Sequence, residues 1–394
     1  MEAVITGLGL ICAAGETVNE AMTTLYSGMR NPALPLRIKT ELDKKPPVFE
    51  VASDLDKFNP GNDESRTTLL LLSALDEALA HAGIDKDYLD SIPVGVAMGT
   101  TVGCTLNRES FYRAYRRGEN PGIEPIGRFL RNNPALYVAR RHNFSGPAIT
   151  IANACSSGTD AIGMGKSWIE SGLCHMVIAG GSDELCRTTY LGFNSLLNTA
   201  PEPCRPFDKN RKGLNLGEGA GVLILESESS LKKRGAKKLA AVAGYATNSD
   251  AYHPTAPHPE GRGLTRAMAH ALKMAETSPA RVSFINAHGT STTENDKVEG
   301  KTIGRLFPDA LPVVSTKAFT GHTLGAAGAV EAIFSVMGLI DGKIPATIGF
   351  EAFDEACAIE PTSEVTPVKG NIAVSNSLAF GGNNSVLVLR GKGL

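Results

Sequence analysis

The segment ANACSSGTD, residues 152–160, follows the apolar run PAITI at 147–151. The apolar run is typical of a buried strand, and the small residues after it indicate the start of a helix. Cys155 therefore lies where a strand ends and a helix begins. The unpaired backbone N–H groups of a helix N-terminus would stabilise its thiolate over its thiol. A single cysteine is more often a buried space-filling residue, so other motifs must decide between the two interpretations.

Strand-like and helix-like segments alternate along the chain around this stretch. Short apolar runs such as VGVAMG (94–99) and VIAGG (177–181) alternate with longer segments of helical character, for example TTLLLLSALDEALAHAG (67–83). Buried strands between helices predict an α/β fold whose mixed or parallel sheets are covered by helices on both faces.

Two sequence echoes indicate an internal duplication. The similar pairs are VGVAMGTTVG with VSFINAHGTST, and PAITIANACSSG with GNIAVSNSLAFGG. The echoes occur in the same order in both parts of the chain, which favours duplication over chance similarity. We predict an N-terminal half (1–238) that carries the cysteine and a C-terminal half (239–394).

The composition excludes several classes of protein. The 394 residues include 42% hydrophobic and 20% charged residues, with a net charge of −2, so nothing in the bulk composition indicates nucleic-acid binding. The seven cysteines are scattered and form no C-x-x-C pair, which is typical of a reduced, cytoplasmic protein. No run approaches 18 apolar residues and the N-terminus lacks a basic leader region, so we expect neither a membrane span nor a signal peptide.

Two histidines lie at glycine turns in the C-terminal half. His288 ends the strand-like segment VSFINAH, and His322 follows Gly321 in KAFTGHT. The cation of Lys317 would disfavour an imidazolium, which leaves a neutral ring whose N–H can donate to a developing oxyanion. Glu331, in the following helix, could pair with Lys317. Taken singly, His288 could equally be structural and Lys317 a solvated surface charge.

The segment SNSLAFGGNNS (375–385) places Phe380 directly before Gly381 and Gly382. The glycines allow the backbone to approach a ligand closely, and the phenylalanine ring could act as a movable lid. A core phenylalanine at a turn is the alternative. One cysteine with two histidine donors and no obvious acid to orient them favours stabilisation of charge on a thioester oxygen over cysteine-protease chemistry.

The chain resembles the elongating β-ketoacyl-acyl-carrier-protein synthases, which use Cys–His–His chemistry in the thiolase fold. That fold is α/β, with five layers (αβαβα) built from two duplicated halves. The blocks that carry the resemblance are ITGLGLICAAG, ACSSG, PFDKNRKGLNLGEGAGVLILE, SDAYHPTAPHPEGRG, INAHGTSTTENDKVEG, STKAFTGHTLGAAGAVEA and SNSLAFGGNNS. They run in order over nearly the whole chain, which makes the match specific.

The resemblance implies a role for each reactive residue. Cys155 would attack an acyl thioester and carry the growing chain. His288 and His322 would hold the malonyl thioester carbonyl while carbon dioxide leaves. The backbone N–H groups of Cys155 and Phe380 would form an oxyanion hole, and the Phe380 ring would gate malonyl entry. Lys317 would tune the two histidines.

The resemblance also implies what binds near the site. Thr290 and Thr292 would hydrogen-bond the phosphopantetheine arm of an acyl carrier protein. No organic or redox cofactor is needed, because the carrier thioester is already activated and decarboxylation drives the condensation. Asn286, Glu299 and Glu331 match positions that hold a structural cation in some relatives. A dimer is expected, either of two copies or with a ketosynthase-like homologue.

Several departures from the common family pattern leave the acyl chain and the carrier open, but not the reaction. Segment 104–145 is short, Ala379 and Asn383 replace a common glycine and threonine, ACSSG replaces Cys-Thr-Ser, and LNTAPEPC (197–204) lacks an arginine often used to bind the carrier. A ketosynthase of a specialised polyene or polyketide pathway, paired with an inactive homologue that sets chain length, is the alternative. Thiolases lack the second histidine in this form, and the intact motifs argue against a non-catalytic scaffold.

Two charged features have two interpretations each. An arginine cluster outnumbers the nearby Glu109, Glu119 and Glu124, and it could steer an acidic carrier or form a solvated, partly paired helix face. His253 and His258 could ligate a metal, but the prolines of YHPTAPHP favour a rigid loop at the pocket mouth. The cluster consists of Arg108, Arg113, Arg116, Arg117, Arg128, Arg131, Arg140 and Arg141.

Overall fold

The computed structural model describes residues 2–58, 65–101, 109–124, 126–127, 133–307 and 311–392. The strands in these residues are β1 (Ala3–Cys12), β2 (Val94–Gly99), β3 (Ala148–Ile151), β4 (Met176–Asp183), β5 (Gly219–Ser227), β6 (Ala240–Ser249), β7 (Phe284–Asn286), β8 (Val313–Val314), β9 (Lys343–Ile344), β10 (Thr366–Pro367), β11 (Ile372–Ala379) and β12 (Asn383–Gly391).

Helices connect most of these strands, as the alternating pattern predicts. They are α1 (Val18–Ser27), α2 (Arg66–Ala82), α3 (Lys86–Ser91), α4 (Glu109–Arg116), α5 (Pro134–Arg141), α6 (Ser157–Glu170), α7 (Arg187–Ser195), α8 (Glu228–Arg234), α9 (Arg262–Met274), α10 (Thr293–Leu306), α11 (Lys317–Thr320) and α12 (Ala327–Asp341), with short 3₁₀ turns at Asp56–Phe58, Ala154–Ser156, Pro279–Arg281 and Leu324–Ala326.

Ten strands form one hydrogen-bonded sheet in the order β3-β2-β4-β5-β1-β6-β12-β11-β7-β8. When the strands of each half are numbered from one to five along the chain, both halves have the order 3-2-4-5-1, read from their outer edges. The halves meet where β1 pairs antiparallel with β6, with Ala3 opposite Val242. A repeated strand order is what a duplication produces, although the boundary at 238/239 itself stays a prediction.

Helices α6 and α12 lie between the two halves of the sheet. Helix α6 contacts β2 and β4 of the first half and β6 and β12 of the second, while α12 contacts β5, β11 and β12. Helices α2 and α5 cover the outer face of the first half, and α9 covers that of the second. The result is the predicted five-layer arrangement of helix, sheet, helix, sheet and helix.

The two central helices approach closely because small residues lie where they meet. A Cβ atom on Gly328 of α12 would lie 2.0 Å from the Oγ1 atom of Thr159 in α6. Thr159 in turn shares a 2.8 Å hydrogen bond with Ser377 of β11. This close contact brings the start of α6, and with it the cysteine turn, against the C-terminal half.

In the part of the chain that the structure describes, one segment, Leu324–Asp341, is long and apolar enough to cross a membrane, and 78% of it is buried inside the protein. The expectation that no apolar segment reaches the length of a membrane span therefore does not hold for this segment. The segment is the central helix α12 with its preceding turn, and a helix enclosed by two sheets is apolar on all sides for that reason.

Candidate active site

Cys155 lies in the 3₁₀ turn between β3 and α6, where the sequence predicts it. The residue before it, Ala154, has a φ of 50°, a left-handed conformation that is unusual for a residue with a side chain. Asp160 holds the turn in place: it accepts hydrogen bonds from Asn153 Nδ2 at 2.7 Å and from Ser156 Oγ at 2.9 Å. The strained turn is thus fixed by side chains of its own helix.

The structure brings His322 against the cysteine from the other half of the chain. His322 Nε2 lies 3.0 Å from Cys155 Sγ, and both side chains are buried. The backbone N–H of Phe380 lies near the same sulfur and lowers the pKa of its thiol. Among the described residues, no hydrogen-bond partner faces His322 Nδ1, so the cysteine sulfur is the ring's polar contact.

Burial raises the pKa of the Cys155 thiol to about 12, although the nearby Lys317 cation and the Phe380 N–H act in the opposite direction. The prediction that the helix N-terminus keeps this cysteine as a thiolate was therefore wrong. The loss of water around the sulfur destabilises the thiolate more than the nearby positive charge stabilises it. The resting side chain is a neutral thiol beside a histidine.

Lys317 is buried and contacts both His288 and Glu331, so the interpretation as a solvated surface charge is excluded. Its Nζ atom lies 3.0 Å from His288 Nδ1 and forms an ion pair with Glu331. An ammonium group has no lone pair to offer. His288 Nδ1 must therefore accept, and the ring carries its proton on Nε2.

Both histidines are neutral near pH 7. Burial lowers the pKa of His288 well below its ordinary value, and Lys317 and His322 lower it further. Burial and then Lys317 do the same for His322. The two rings are 5.2 Å apart at an interplanar angle of 86°. A substrate oxygen near both rings would meet neutral N–H donors rather than cations.

A cleft opens over these groups. Its wall combines the reactive side chains with the hydroxyls of Thr290 and Thr292, whose Oγ1 atoms share a 2.8 Å hydrogen bond. Other lining residues are Phe193, Asn198, Leu214, Thr255, Asn295, Leu378, Ala379 and Phe380. The four segments that carry sequence motifs therefore meet in one cleft.

The ring of Phe380 stacks on Phe193, with centroids 5.2 Å apart and an interplanar angle of 21°. Phe193 also presents its edge to His322 at 6.5 Å. The sequence offers no signal for Phe193, which lies in α7 far from every reactive motif. Phe193 reaches the cleft because tertiary packing places α7 against the turn that carries Phe380.

The turn after Phe380 requires its two glycines, because Gly381 and Gly382 have φ values of 86° and 79°. This turn is bound to the loop after β6: the Gly381 N–H donates to the Pro254 carbonyl at 2.7 Å, and the Asp250 N–H donates to the Gly382 carbonyl at 2.7 Å. The backbone position of Phe380 is therefore fixed from both sides.

The loop after β6 uses its histidines to stabilise turns. His253 Nδ1 accepts the backbone N–H groups of Thr255 at 3.2 Å and Ala256 at 3.1 Å, and His258 Nδ1 accepts the N–H of Glu260 at 3.1 Å. Within the described part of the chain, no group of three or more His, Cys, Asp or Glu side chains could hold a metal ion. The Nδ1 atoms of both histidines are used in turns of the loop itself, which supports the rigid-loop interpretation.

Three buried oxygen atoms near the Lys317–Glu331 pair lack hydrogen-bond partners among the described residues: Asn286 Oδ1, Asn376 Oδ1 and Glu331 Oε2. Their residues are otherwise well bonded. Asn376 donates to Glu299 Oε1, and Asn286 donates to the Glu331 carbonyl, both at 3.1 Å. Oxygen donors with one or two carboxylates fit a hard cation, so the predicted cation residues are compatible with that ligand.

Glu299 also fixes the loop that carries His288. Its carboxylate is fully buried and accepts the backbone N–H groups of His288 and Gly289, each at 2.8 Å. Burial raises the pKa of Glu299, while those N–H groups act in the opposite direction. The glutamate therefore positions the histidine through its backbone.

The described part of the arginine cluster is partly paired. Glu109 forms ion pairs with both Arg113 and Arg187, and Arg117 pairs with Glu119. Arg108, Arg128 and Arg131 lie outside the described residues. These ion pairs favour the interpretation as a solvated, partly paired helix face over that of an unpaired patch of positive charge.

Comparison with known proteins agrees with this site. The model of the β-ketoacyl synthase N-terminal domain matches residues 2–230, and that of the C-terminal domain matches residues 239–351. The chain is 34% identical over 409 residues to 3-oxoacyl-[acyl-carrier-protein] synthase 2 of Coxiella burnetii, covering 98% of this chain and 97% of the relative. The Staphylococcus aureus enzyme of the same name is 34% identical over 410 residues, covering 98% and 100%.

Two solved structures have the same fold over the whole chain. The ishigamide ketosynthase/chain length factor superposes with a TM-score of 0.92 at 32% identity, covering 100% of this chain and 99% of that one. A ketosynthase (ApeO) in complex with its chain length factor (ApeC) from Xenorhabdus doucetiae superposes with a TM-score of 0.85 at 32% identity, covering 99% and 98%.

The fold and the cysteine–histidine site thus define a thiolase-fold condensing enzyme, as predicted. More particularly, the chain belongs to the β-ketoacyl synthase family, and it is an acyl-transferring enzyme of the elongating kind.

Proposed function

We propose that this enzyme condenses an acyl chain held on Cys155 with malonyl-acyl-carrier-protein, giving a β-ketoacyl-carrier-protein two carbons longer. The observation that carries the proposal is the pair of neutral, perpendicular imidazoles beside the cysteine, with His322 Nε2 at 3.0 Å from its sulfur. A neutral imidazole N–H can hydrogen-bond the enolate oxygen and keep its proton, whereas an imidazolium would be neutralised by proton transfer to that oxygen. The carrier supplies both thioesters, so no organic or redox cofactor takes part.

The first step loads the acyl chain. The Cys155 sulfur attacks the carbonyl carbon of an acyl thioester as its proton is transferred to the departing carrier sulfur, while His322 keeps its own proton on Nε2. The charge on the carbonyl oxygen is stabilised by the backbone N–H groups of Cys155 and Phe380. The Phe380 N–H lies near the sulfur and lowers the pKa of its thiol, which supports its place in this oxyanion hole.

The second step forms the carbon–carbon bond. The malonyl thioester oxygen accepts N–H bonds from His288 and His322, and the electrons of the breaking carboxylate bond move into the enolate as carbon dioxide leaves. The enolate carbon then attacks the acyl-cysteine carbonyl, and the Cys155 sulfur departs as a thiolate that takes up from solvent the one proton the net reaction consumes. Lys317 keeps the His288 proton on Nε2, and Glu331 compensates the buried lysine charge.

Several residues support these steps. Thr290 and Thr292 bind the phosphopantetheine arm, since both hydroxyls line the cleft. Phe380 gates the cleft by movement of its ring, because the turn formed by Gly381 and Gly382 holds its backbone to the loop after β6. A structural monovalent cation is held near Asn286, Glu299 and Glu331, where unpaired buried oxygens support it. The enzyme works in the cytoplasm, an assignment supported by described cysteines that are all free thiols.

The second candidate is a ketosynthase of a specialised polyene or polyketide pathway, working as a heterodimer with a chain-length-factor homologue. It is favoured by the two solved relatives that are themselves paired with chain length factors, at TM-scores of 0.92 and 0.85. The two 3-oxoacyl-[acyl-carrier-protein] synthase 2 relatives, each 34% identical to this chain, support the first candidate, fatty-acid elongation. Both candidates use the same chemistry and differ in the acyl chain.

Decarboxylation of the malonyl group and acyl loading on Cys155 can be tested separately. Wild-type enzyme is incubated with acyl-carrier and malonyl-carrier labelled in the free carboxylate, alongside Cys155→Ala and His288→Ala variants. We expect wild type to release labelled carbon dioxide and extend the chain. Cys155→Ala should release carbon dioxide without extension, and His288→Ala should lose both.

If wild type neither releases carbon dioxide nor extends any chain, the proposed reaction is wrong. Mass spectrometry of the acyl group trapped on Cys155 then separates the two candidates. A saturated chain supports fatty-acid elongation, whereas a conjugated or multiply oxidised chain supports the specialised pathway.

A further inference from the structure

The carboxylate of Asp160 connects the cysteine turn to the C-terminal half of the chain. Its Oδ2 atom accepts the two hydrogen bonds from Asn153 and Ser156 that hold the turn. Its Oδ1 atom accepts two more, from the Tyr245 hydroxyl at 2.9 Å and from Ser385 Oγ. Tyr245 lies on β6 and Ser385 on β12, so each half of the chain supplies two donors to one buried carboxylate.

Tyr245 reaches Asp160 across α6 because position 163 carries no side chain. A Cβ atom on Gly163 would lie 2.4 Å from the ring carbons Cγ and Cδ1 of Tyr245, so the ring packs directly on the helix backbone. Burial and then the Asp160 carboxylate raise the pKa of Tyr245 well above its ordinary value. The phenol therefore stays protonated and donates its hydrogen to the aspartate.

The hydrogen bonds of this carboxylate enclose the strained part of the turn. Asn153 and Ser156 lie on either side of a two-residue segment, 154–155, whose first residue, Ala154, has the left-handed φ of 50°. The second residue is the nucleophile, which presents its sulfur to His322 at 3.0 Å and its backbone N–H to the proposed oxyanion hole. A relaxed turn would move both groups, and a misplacement of about 1 Å at a reacting group lowers a rate about a hundredfold.

We propose that Tyr245 is a positioning residue for acyl loading, which acts through Asp160 to hold the Cys155 sulfur and N–H in place. The proposal rests on the proposed function, whose first step transfers an acyl group to this cysteine. Among the residues that the structure describes, neither Tyr245 nor Asp160 lines the catalytic cleft. Their effect should therefore be confined to steps that use the cysteine, and decarboxylation at the two histidines should not depend on them.

The experiment measures two half-reactions separately. Mass spectrometry of the intact protein gives the rate of acyl transfer from acyl-carrier to Cys155, and labelled malonyl-carrier gives carbon dioxide release in a Cys155→Ala background. We expect acyl transfer to fall about tenfold in Tyr245→Phe, as for the loss of one hydrogen bond to a charged acceptor. It should fall about a hundredfold in Asp160→Asn, which disturbs the turn itself. Carbon dioxide release in the Cys155→Ala background should stay unchanged in both.

A double variant that combines Tyr245→Phe with Asp160→Asn shows whether the tyrosine acts through the aspartate. It should load acyl groups no more slowly than Asp160→Asn alone, because two residues that share one interaction have non-additive effects. The control is Tyr26→Phe, which removes a tyrosine hydroxyl that donates to an aspartate, Asp341 Oδ2, at the same distance of 2.9 Å, between α1 and the end of α12. This variant should change Tm at most, with acyl transfer equal to that of wild type.

The other outcomes separate this role from the reaction itself. Acyl transfer at the wild-type rate in Tyr245→Phe, in an enzyme that condenses normally, would overturn the positioning role and leave the proposed function intact. Equal losses of acyl transfer and carbon dioxide release would show a general disturbance of the site and would also overturn that role. A wild-type enzyme that neither loads Cys155 nor releases carbon dioxide would refute the proposed function and the positioning role together.

Discussion

The thiol of Cys155 is activated by the groups around it rather than by its own acidity. With burial raising its pKa to about 12, nearly all of the side chain is protonated near neutral pH. A neutral thiol beside a neutral histidine costs less in a buried site than a thiolate–imidazolium pair. The proton must therefore move during attack on the thioester.

This protonation state predicts how Cys155 reacts with iodoacetamide. Because only the thiolate is alkylated, the rate should rise about tenfold per pH unit between about pH 7 and about pH 9, with no plateau. Mass spectrometry of the peptide that contains Cys155 gives the rate. A plateau below about pH 8 would instead indicate a thiolate already formed at neutral pH.

Lys317 controls which nitrogen of His288 carries the proton. Replacing it by methionine removes the ammonium that donates to Nδ1 and the repulsion that lowers the pKa of His288. We expect the pKa of His288 to rise and carbon dioxide release to fall about a hundredfold, the size of effect seen when a preorganised donor is lost.

Nitrogen NMR of the imidazole follows the tautomer and the pKa directly. Lys209→Met is the control, because Lys209 is exposed and does not line the cleft. If Lys317→Met loses activity while the His288 tautomer and pKa stay unchanged, the lysine does not act through that histidine.

At the scale of elements, the approach of α6 to α12 sets the position of the cysteine turn. A methyl group on Gly328 would overlap the Thr159 hydroxyl, which bonds to Ser377. We expect Gly328→Ala to lower the free energy of unfolding by about 3 kcal/mol, the cost of overpacking a tight interface.

The matched control is Gly192→Ala in α7, where an added Cβ has no atom within 4 Å. Alanine is a better helix former than glycine, so this change should be neutral or stabilising by up to about 1 kcal/mol. Urea unfolding of both variants measures the difference. Equal effects of the two substitutions would contradict the close contact between the central helices.

The proposed cation site is likewise formed by packed secondary-structure elements, because it lies where β7 and β11 pair beside α12. Wild type should have a higher Tm in sodium or potassium chloride than in tetramethylammonium chloride at equal ionic strength, since an ion bound only by the folded state stabilises it. In Asn376→Leu, which removes one unpaired oxygen, that difference should disappear. A salt effect that survives in the variant would place the ion elsewhere.

At the scale of the whole molecule, β3 forms one edge of the sheet, and among the described strands it pairs only with β2. Its Ile149 is exposed, and an exposed apolar edge strand invites pairing with another chain. We expect light scattering to give twice the mass of a single chain, and Ile149→Lys to lower it. Ile340→Lys, a change at an exposed isoleucine of α12, should leave the mass unchanged; a monomeric wild type would contradict the predicted dimer.

Local sequence patterns are enough to predict the alternation of strands and helices, the strand-to-helix position of Cys155, and the glycine turns beside His322 and Phe380. These features depend on hydrophobic periodicity and on the conformational freedom of single residues, so they are readable from neighbours in the chain. The motif residues Cys155, His288, Lys317 and His322 were all identified at this level.

Tertiary structure alone decided what these residues do to one another. Cys155 and His322 are 167 residues apart in the chain, and their contact depends on how α6 and α12 pack between the sheets. The stacking of Phe193 on Phe380 has no local signal either. The protonation state of Cys155 was predicted wrongly for the same physical reason: a helix terminus is visible in the sequence, whereas the loss of water around the sulfur is a property of the folded interior.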